Sequence, residues 1–356
     1  MRRIFLILLG VVLIFGLLFG GLLLFSTLTD YQPEPGSEEK VNTEGQAAEK
    51  INSDTLTLLI WNVGYAGLGA EMDFFNDGGT GVRPDEATAA RYLKAIRLFL
   101  ESMQDSVDFM LLQEVDRKSK RSYYTDQVSV LGENLKGFDR NFALNYDVKF
   151  VPVPFGLPYT PYGKTYGGLL SLSRYASANN TRIQYPGGFD WPTRLYMLDR
   201  CALEQRYVLP NGKQLIVVNT HNTAYDETGA IKAEEMAFIK KRYEAEASKG
   251  NTVIIGGDWN QVPPGFDARR FNTTIPPGYT PQALAAEQLP DKFKVCYDDR
   301  FPTNRSNDTP YTPGKTYTTH IDYFVVSGDV EVLETRTIDM QFRYSDHQPV
   351  VLKVVL

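Results

Sequence analysis

The 356 residues predict an α/β fold of two packed sheets flanked by helices, carried behind one membrane-length apolar helix. Three observations lead there. Short apolar strand-like runs outnumber helix-like stretches after residue 55, the helices separate only some of those runs, and Ile4–Phe25 is a single uncharged apolar stretch. A (β/α)8 barrel requires a stricter alternation of strand and helix. Two face-to-face sheets between helices accommodate the observed order.

The N-terminal element comes first. Its 22 apolar residues would form a helix of roughly 33 Å, enough to cross a bilayer. Secretory apolar regions are shorter and end in a small-residue cleavage pattern, whereas this run ends in "LLLFSTLTD". An uncleaved anchor over 1–25 is therefore expected, with a removed signal segment as the alternative. Arg2 and Arg3 would hold the short N-terminus in the cytoplasm and leave the remainder extracytoplasmic. Residues 26–54 are polar, carry Pro, Gly and Glu, and lack apolar periodicity, so they read as a flexible tether. The body is then 55–356.

Within the body, "TLTLLIWNVG" (55–64) predicts a strand ending in a turn. Residues 83–104 predict a helix, with Pro84 in its first turn, Asp85 and Glu86 complementing the dipole, and Leu93, Ile96, Leu100 and Met103 at helical spacing. "VDFMLLQEV" (107–115) is a buried strand. A second helix is expected from Glu227 to Ser248, stopped near Gly250. Strands follow at 213–221, 251–260, 320–328, 330–338 and 349–356.

Composition narrows the function classes. Net charge is −6, which disfavours reliance on a broad basic face for nucleic acid. Cys201 and Cys296 are the two cysteines, free or paired in one disulfide. With no C-x-x-C spacing, a zinc–thiolate site is excluded.

Polar residues cluster at strand ends. Asn62 closes the first strand, Glu114 the second, Asn219 and His221 another, and Asp258 and Asn260 the next. Asp322 begins a later strand, and Ser345, Asp346 and His347 precede the last. All three histidines, His221, His320 and His347, fall in these segments. Each has a plain structural explanation alone: Asn62 as a turn former, His320 as a strand-flanking residue. A carboxylate after "FMLLQ" nevertheless needs a partner or a metal. In "GGDWN" the glycines let the backbone bend and bring Asp258 and Asn260 near a ligand, with Trp259 turned into packing. Strand ends at one edge can gather such groups into one cleft.

The segments "WNVG", "LLQEV", "GGLLSLSR", "VVNTH", "GGDWN", "HIDYFVVSG" and "SDHQPV" occur in the order found in the endonuclease/exonuclease/phosphatase superfamily, which this chain resembles over about 55–356. The superfamily includes deoxyribonuclease I-like nucleases, abasic-site endonucleases, neutral sphingomyelinases and inositol polyphosphate 5-phosphatases. The resemblance implies a four-layer α/β sandwich with two central mixed sheets, and hydrolysis of a phosphate ester with Mg²⁺, or Mn²⁺ in its place. It implies metal ligation by Glu114, helped by Asn62 and Asp346. Asp258 and Asn260 would orient the attacking water or the phosphate. His347, fixed by Asp322, would accept a proton, and His221 would hydrogen-bond a phosphate oxygen or the leaving group. Whether Asp258 or His347 is the acceptor stays open at this level.

The motifs leave the substrate open between a phospholipid headgroup and nucleic acid. Aromatic, proline-rich loops at 151–168 and 185–196 suit lipid headgroups, stacked bases or packing over the sheet. An inositol phosphatase is less well supported, because only Arg269 and Arg270 lie near "GGDWN" as a basic pair. A non-catalytic tethered binding domain is the remaining reading. The membrane enters as a partner through the N-terminal helix, and no protein partner is predicted.

Overall fold

Leu58 and Ile60 leave the first body strand on one side, Leu59 and Trp61 on the other, and this period-two alternation generates the layers. The computed structural model describes every residue except Gln46, Ala48, Thr273, Pro277 and Gly278. Strands are numbered along the chain. One seven-stranded mixed sheet runs in the order β15 (Glu331–Thr337), β16 (Val350–Val355), β3 (Thr55–Asn62), β4 (Phe109–Asp116), β6 (Gly163–Ser173), β5 (Asp139–Val151), β2 (Thr43–Gly45). The other runs β1 (Glu38–Lys40), β7 (Asn179–Gln184), β8 (Cys201–Val208), β9 (Gln214–His221), β10 (Thr252–Asp258), β14 (Asp322–Val326), β11 (Lys294–Cys296). A small ribbon pairs β12 (Asn304–Arg305) with β13 (Thr318–Thr319).

Leu58, Ile60, Leu111, Val217, Ile254 and Phe324 fill the space between the sheets. On the outer face of the first sheet, Leu59, Trp61 and Met110 pack under α2 (Glu86–Met103) and α3 (Gln127–Gly132). On the outer face of the second, Ile216, Val218 and Ile255 pack under α4 (Ala230–Ser248). The result is the expected four layers.

Helix starts fall slightly later than the sequence suggests. The Asp85 carboxylate accepts the Thr88 amide at 2.8 Å as an N-cap, so Pro84 lies just outside α2. Asp226 accepts the Gly229 and Lys232 amides, which turns 227–229 into a loop before α4. The larger omissions are β5, β6, β7 and β8. Their buried positions, on both faces, include Asn141, Ser171, Thr181, Arg182, Glu204 and Gln205, so apolar alternation does not reveal them. Glu204 is tolerated there because Arg206 and Arg242 both pair with it. Residues 163–168, read as loop, begin β6.

Of the two states left open for the cysteines, the free one holds: Cys201 and Cys296 are both buried and unbonded. One further expectation changes. The segment 26–54 is not a loose coil. The apolar helix α1 (Arg2–Leu28) extends past residue 25, β1 pairs with β7, and β2 pairs with β5. One short stretch thus supplies an edge strand to each sheet, with Val41 buried between them beside Ala143, Leu169, Cys201 and Leu203. The backbone of two open sheet edges supplies hydrogen bonds that the segment's polar composition does not advertise.

Placing a carboxylate among these apolar neighbours costs about 3 kcal/mol. Val41→Asp should therefore lower the thermal midpoint by roughly 5–10 °C. An unchanged melting curve would mean that the segment is free after all.

Candidate active site

Strand register brings the polar residues together. β3 and β4 are parallel with Asn62 beside Gln113, and β9 and β10 are parallel with His221 beside Asp258. Both pairs end at the same edge of the sandwich. On its other side Asp258 faces Asp322 of antiparallel β14. Between the sheets, Gln113 Nε2 donates to Asn219 Oδ1 at 2.7 Å, and Asn219 Nδ2 donates to the Leu112 and Leu170 carbonyls. Asn219 is therefore a buried polar tie beneath the cleft.

Local backbone distortions aim the side chains. The β4–β6 register shifts between Leu112 and Val115, and Glu114 adopts φ +55° within that bulge. The bulge turns Glu114 to the cleft, and Asn260 reverses the chain after β10 with φ +51°. Gly257 has φ +151°, and a Cβ there would lie 1.9 Å from the Thr220 carbonyl oxygen, so the close approach of β9 and β10 requires glycine. Gly64 has φ +50°, and a Cβ would sit 2.8 Å from Asp346 Oδ1.

All eight expected residues meet. Asn62 Nδ2 donates to Glu114 Oε1 at 3.1 Å and to Asp258 Oδ2 at 3.0 Å, joining the two sheets. Asp258 Oδ2 is 3.5 Å from His221 Nε2 and 3.7 Å from His347 Nε2, while Asp258 Oδ1 accepts the Asn260 amide at 2.9 Å. His347 Nδ1 lies 2.8 Å from Asp322 Oδ2. Ser345 Oγ donates to the Asn62 carbonyl at 2.8 Å, which holds the Asp346 segment against β3. Trp259 is buried, donates to the Tyr323 carbonyl and stacks on the Tyr323 ring. His320 lies apart, packed against Phe266 and Tyr297, and burial pushes its pKa down to about 4, so it is a neutral core residue.

Several neighbours escaped the sequence reading. Asn307 Nδ2 donates to Asp346 at 2.7 Å and to Asp77 at 3.2 Å, and Tyr225 donates to Asp77 at 2.8 Å. The Asn304 carboxamide lies 3.0 Å from His347 Nε2, and its oxygen is the atom that can accept from a protonated ring. Arg200, one residue before β8 and on the strand beside His221, is buried, and its Nη1 has no hydrogen-bond partner. Lys232 Nζ donates to the Asn260 carbonyl at 3.2 Å. None of these follows an apolar run. Only Asn222, directly after "NTH", was placed where a motif could have flagged it; its carbonyl accepts from Asn260 Nδ2 at 2.9 Å.

The electrostatics divide the site in two. Burial raises the pKa of Glu114, with Asp346 adding to the rise, and burial likewise raises Asp77. Carboxylates that repel one another in this way, beside the orphaned buried Asn307 Oδ1, make a hard-oxygen donor set suited to a divalent cation. Asp258, Asp322 and His347 also lie close enough to hold a metal. There, however, the imidazole is occupied by Asp322. Burial opposes its charge, but Asp322 and Asp258 overcome that and hold its pKa well above the ordinary 6.5. That trio is a charge-coupled carboxylate–imidazole group. Burial raises Asp258 to about 6, with Asp322 adding to the rise. His221 moves the other way: burial, Arg200 and His347 all lower its pKa, so the ring is neutral.

This sandwich with its cleft of carboxylates and imidazoles defines a class, and sequence comparison identifies it: the chain belongs to the Endonuclease/Exonuclease/phosphatase family, whose model matches residues 59–347. Solved structures share the fold. An endonuclease/exonuclease/phosphatase from Beutenbergia cavernae DSM 12333 superposes with a TM-score of 0.55 at 17% identity, over 85% of this chain and 72% of that one. One from Bacteroides vulgatus gives 0.53 at 16% identity, over 85% and 99%. ANGEL2, a 2',3'-cyclic phosphatase, gives 0.52 at 15% identity, over 89% and 98%. No curated protein matches the sequence significantly.

The His347–Asp322 pair carries a pH signature. Because the folded ring's pKa is raised above its unfolded value, the pair's stabilisation is fully present below about pH 6.5 and is lost as pH rises through the folded value. In metal-free protein, the His347 ring resonances should titrate above the ordinary histidine range, and Asp322→Asn should bring that titration down. An unshifted titration in the variant would contradict the pairing.

Proposed function

We propose that this chain is a divalent-metal-dependent phosphodiesterase, anchored by α1 with its catalytic domain outside the cytoplasm, and that it cleaves a phospholipid headgroup ester. The observation that carries the reading is the Asn62 amide spanning Glu114 and Asp258, which sets a metal-suited acidic pocket against a proton-handling group. A binding domain without activity has no need of both halves.

In this reading Glu114 and Asp346 would hold Mg²⁺, with Asn62 and Asn307 steadying the two carboxylates, and Mn²⁺ would suit the same oxygens. When bound, the cation supplies neutralisation of charge on the phosphoryl and leaving oxygens. Asp258, with its pKa near 6, accepts the proton of the attacking water, and the Asn260 amide orients its carboxylate. His347 is already protonated, so it acts as a cation against the phosphoryl oxygens, with Asp322 fixing the ring. This assigns the proton to Asp258 rather than to His347. Neutral His221 donates one hydrogen bond to the phosphate. Arg200, buried with its Nη1 free of hydrogen bonds, supplies a second donor to the same group.

Support for a lipid over nucleic acid comes from the acidic balance of the chain and from the apolar helix, the one membrane-length helix among the described residues. Processing of that helix is read directly from the mass of the native N-terminus: an intact start supports the anchor, and a start near residue 26 supports secretion.

With Mg²⁺ and bis(p-nitrophenyl) phosphate, Asp258→Ala should lower kcat by about 10²–10⁴-fold. Arg200→Met should lower kcat/KM about 10–100-fold, as expected for loss of a charged hydrogen bond. The kcat/KM profile should show an acidic limb no higher than about pH 6, where Asp258 is protonated. Wild-type activity from the Asp258→Ala variant would remove the enzyme reading. Assay on phospholipid vesicles and plasmid side by side decides the substrate: headgroup release without nicking supports the lipid, and the reverse supports a nuclease.

A further inference from the structure

The attachment of α1 determines how the domain can sit. No residue of its membrane-length window is buried, and Ser26 is the buried residue of the helix, so α1 projects from the body and is held at its C-terminal end. The hold begins within the last turn. Ser26 Oγ lies 3.2 Å from Tyr196 Oη, and Trp191 Nε1 donates to Thr27 Oγ1 at 3.1 Å. Arg194 lies 3.4 Å from Asp30, and the Arg182 guanidinium lies over the Tyr31 ring at 5.5 Å. The Gly36 amide then donates to the Gln184 carbonyl, and β1 and β2 follow directly. No slack separates helix from domain.

Register locates this junction. Antiparallel pairing sets Val115, next to Glu114, opposite Gly168, and Asp147 opposite Tyr166. The β5–β6 hairpin therefore continues beyond the end of β4 on the catalytic edge. Ser26, Thr29 and Asp30 pack against its Asp147–Phe150 stretch, roughly 7–17 Å past the level of Glu114 at about 3.4 Å per residue. The same holds for the second sheet. The β7–β8 loop that carries Trp191, Arg194 and Tyr196 returns into β8 at Cys201, level with Gln184 and just beyond Ala202, which pairs with Thr220. It thus emerges at the edge where His221 ends β9. Both loops that grip α1 belong to the active-site edge.

The β5–β6 hairpin tip and the β7–β8 loop on that edge also carry exposed apolar side chains, Trp191 in contact with the helix end. Leu157 is fully exposed, Phe155 is 76% exposed and stacks on Tyr159, and Trp191 is 52% exposed. Apolar and aromatic groups at the mouth of a spanning helix suit the headgroup layer of the bilayer that holds it.

We propose that the domain is docked rigidly on the bilayer of α1, with its active-site edge turned to the headgroup layer and with Phe155, Leu157 and Trp191 entering it. The occupant of this surface is the lipid bilayer itself, and the phosphodiester is drawn from that plane. The inference rests on α1 spanning a membrane, as in the proposed function, and it deepens that reading from a tethered domain to a fixed orientation.

Tryptophan fluorescence of the intact chain, reconstituted in phosphatidylcholine vesicles, tests it. Trp61 and Trp259 are buried, which leaves Trp191 as the exposed reporter of the three. Vesicles with bromine at the upper acyl carbons should quench the emission, and Trp191→Phe should abolish the quenching. A second reporter guards against damage by that substitution. Leu157→Cys labelled with an environment-sensitive dye should shift to the blue on reconstitution, the two native thiols being buried. A flexible Gly/Ser insertion between Leu28 and Thr29 should remove both signals and slow hydrolysis of vesicle lipid, while hydrolysis of bis(p-nitrophenyl) phosphate persists. Absence of quenching and of the dye shift in the unmodified junction overturns the docking. Because those signals need no catalysis, their absence from the chain without the insertion, with soluble-ester hydrolysis intact, rejects the orientation alone. Their presence without any hydrolysis supports the orientation and rejects the phosphodiesterase.

Discussion

The seam between the two sheets depends on one side chain. Asn62 ends a strand of the first sheet, accepts the Gly64 amide at 3.0 Å through its carbonyl oxygen, and offers both amide hydrogens across the cleft to Glu114 and Asp258. Two carboxylates drawn from different sheets are thereby held at a fixed separation in a desolvated place, where each would otherwise repel the other. Everything chemical in the cleft follows from that spacing. Replacing the amide by a hydrocarbon would leave two buried anions without donors, which costs more than the loss of two ordinary hydrogen bonds.

Around this bridge the charges alternate so that the pKa values move apart. Asp258 is pushed up, His347 is held protonated by two carboxylates, and His221, crowded by Arg200 and His347, stays neutral. Three groups of ordinary solution chemistry thus come to differ in charge state within one cleft, a separation that would serve the proposed hydrolysis at neutral pH. Backbone strain contributes to the same end. Left-handed conformations at Glu114 and Asn260, residues without glycine's freedom, persist because the bulge and the β9–β10 contact over-determine them.

The sequence made this legible to the extent that function coincides with apolar strands. Asn62, Glu114, His221 and Asp258 each follow a run of buried aliphatic residues, so their common edge could be read before any coordinates. Arg200, Asn304, Asn307 and Asp77 could not, because they sit in polar loops, in the two-residue ribbon strand β12, or before a strand that buries Glu204 and Gln205 on its two faces. The segment 26–54 failed for the same physical reason. It docks through backbone hydrogen bonds to sheet edges, and Val41 is its one clear apolar mark between β1 and β2. Hydrophobic patterning reports side-chain burial and is blind to edge pairing.

The central claim is that a divalent cation is held on the Glu114 side of the Asn62 bridge, while Asp258, Asp322 and His347 are kept for proton and phosphate. Diffraction from Mn²⁺-soaked crystals at the manganese absorption edge tests it most directly. The account predicts an anomalous peak within bonding distance of the Glu114 and Asp346 carboxylates. A peak seated instead among Asp258, Asp322 and His347, with Glu114 uninvolved, would contradict it.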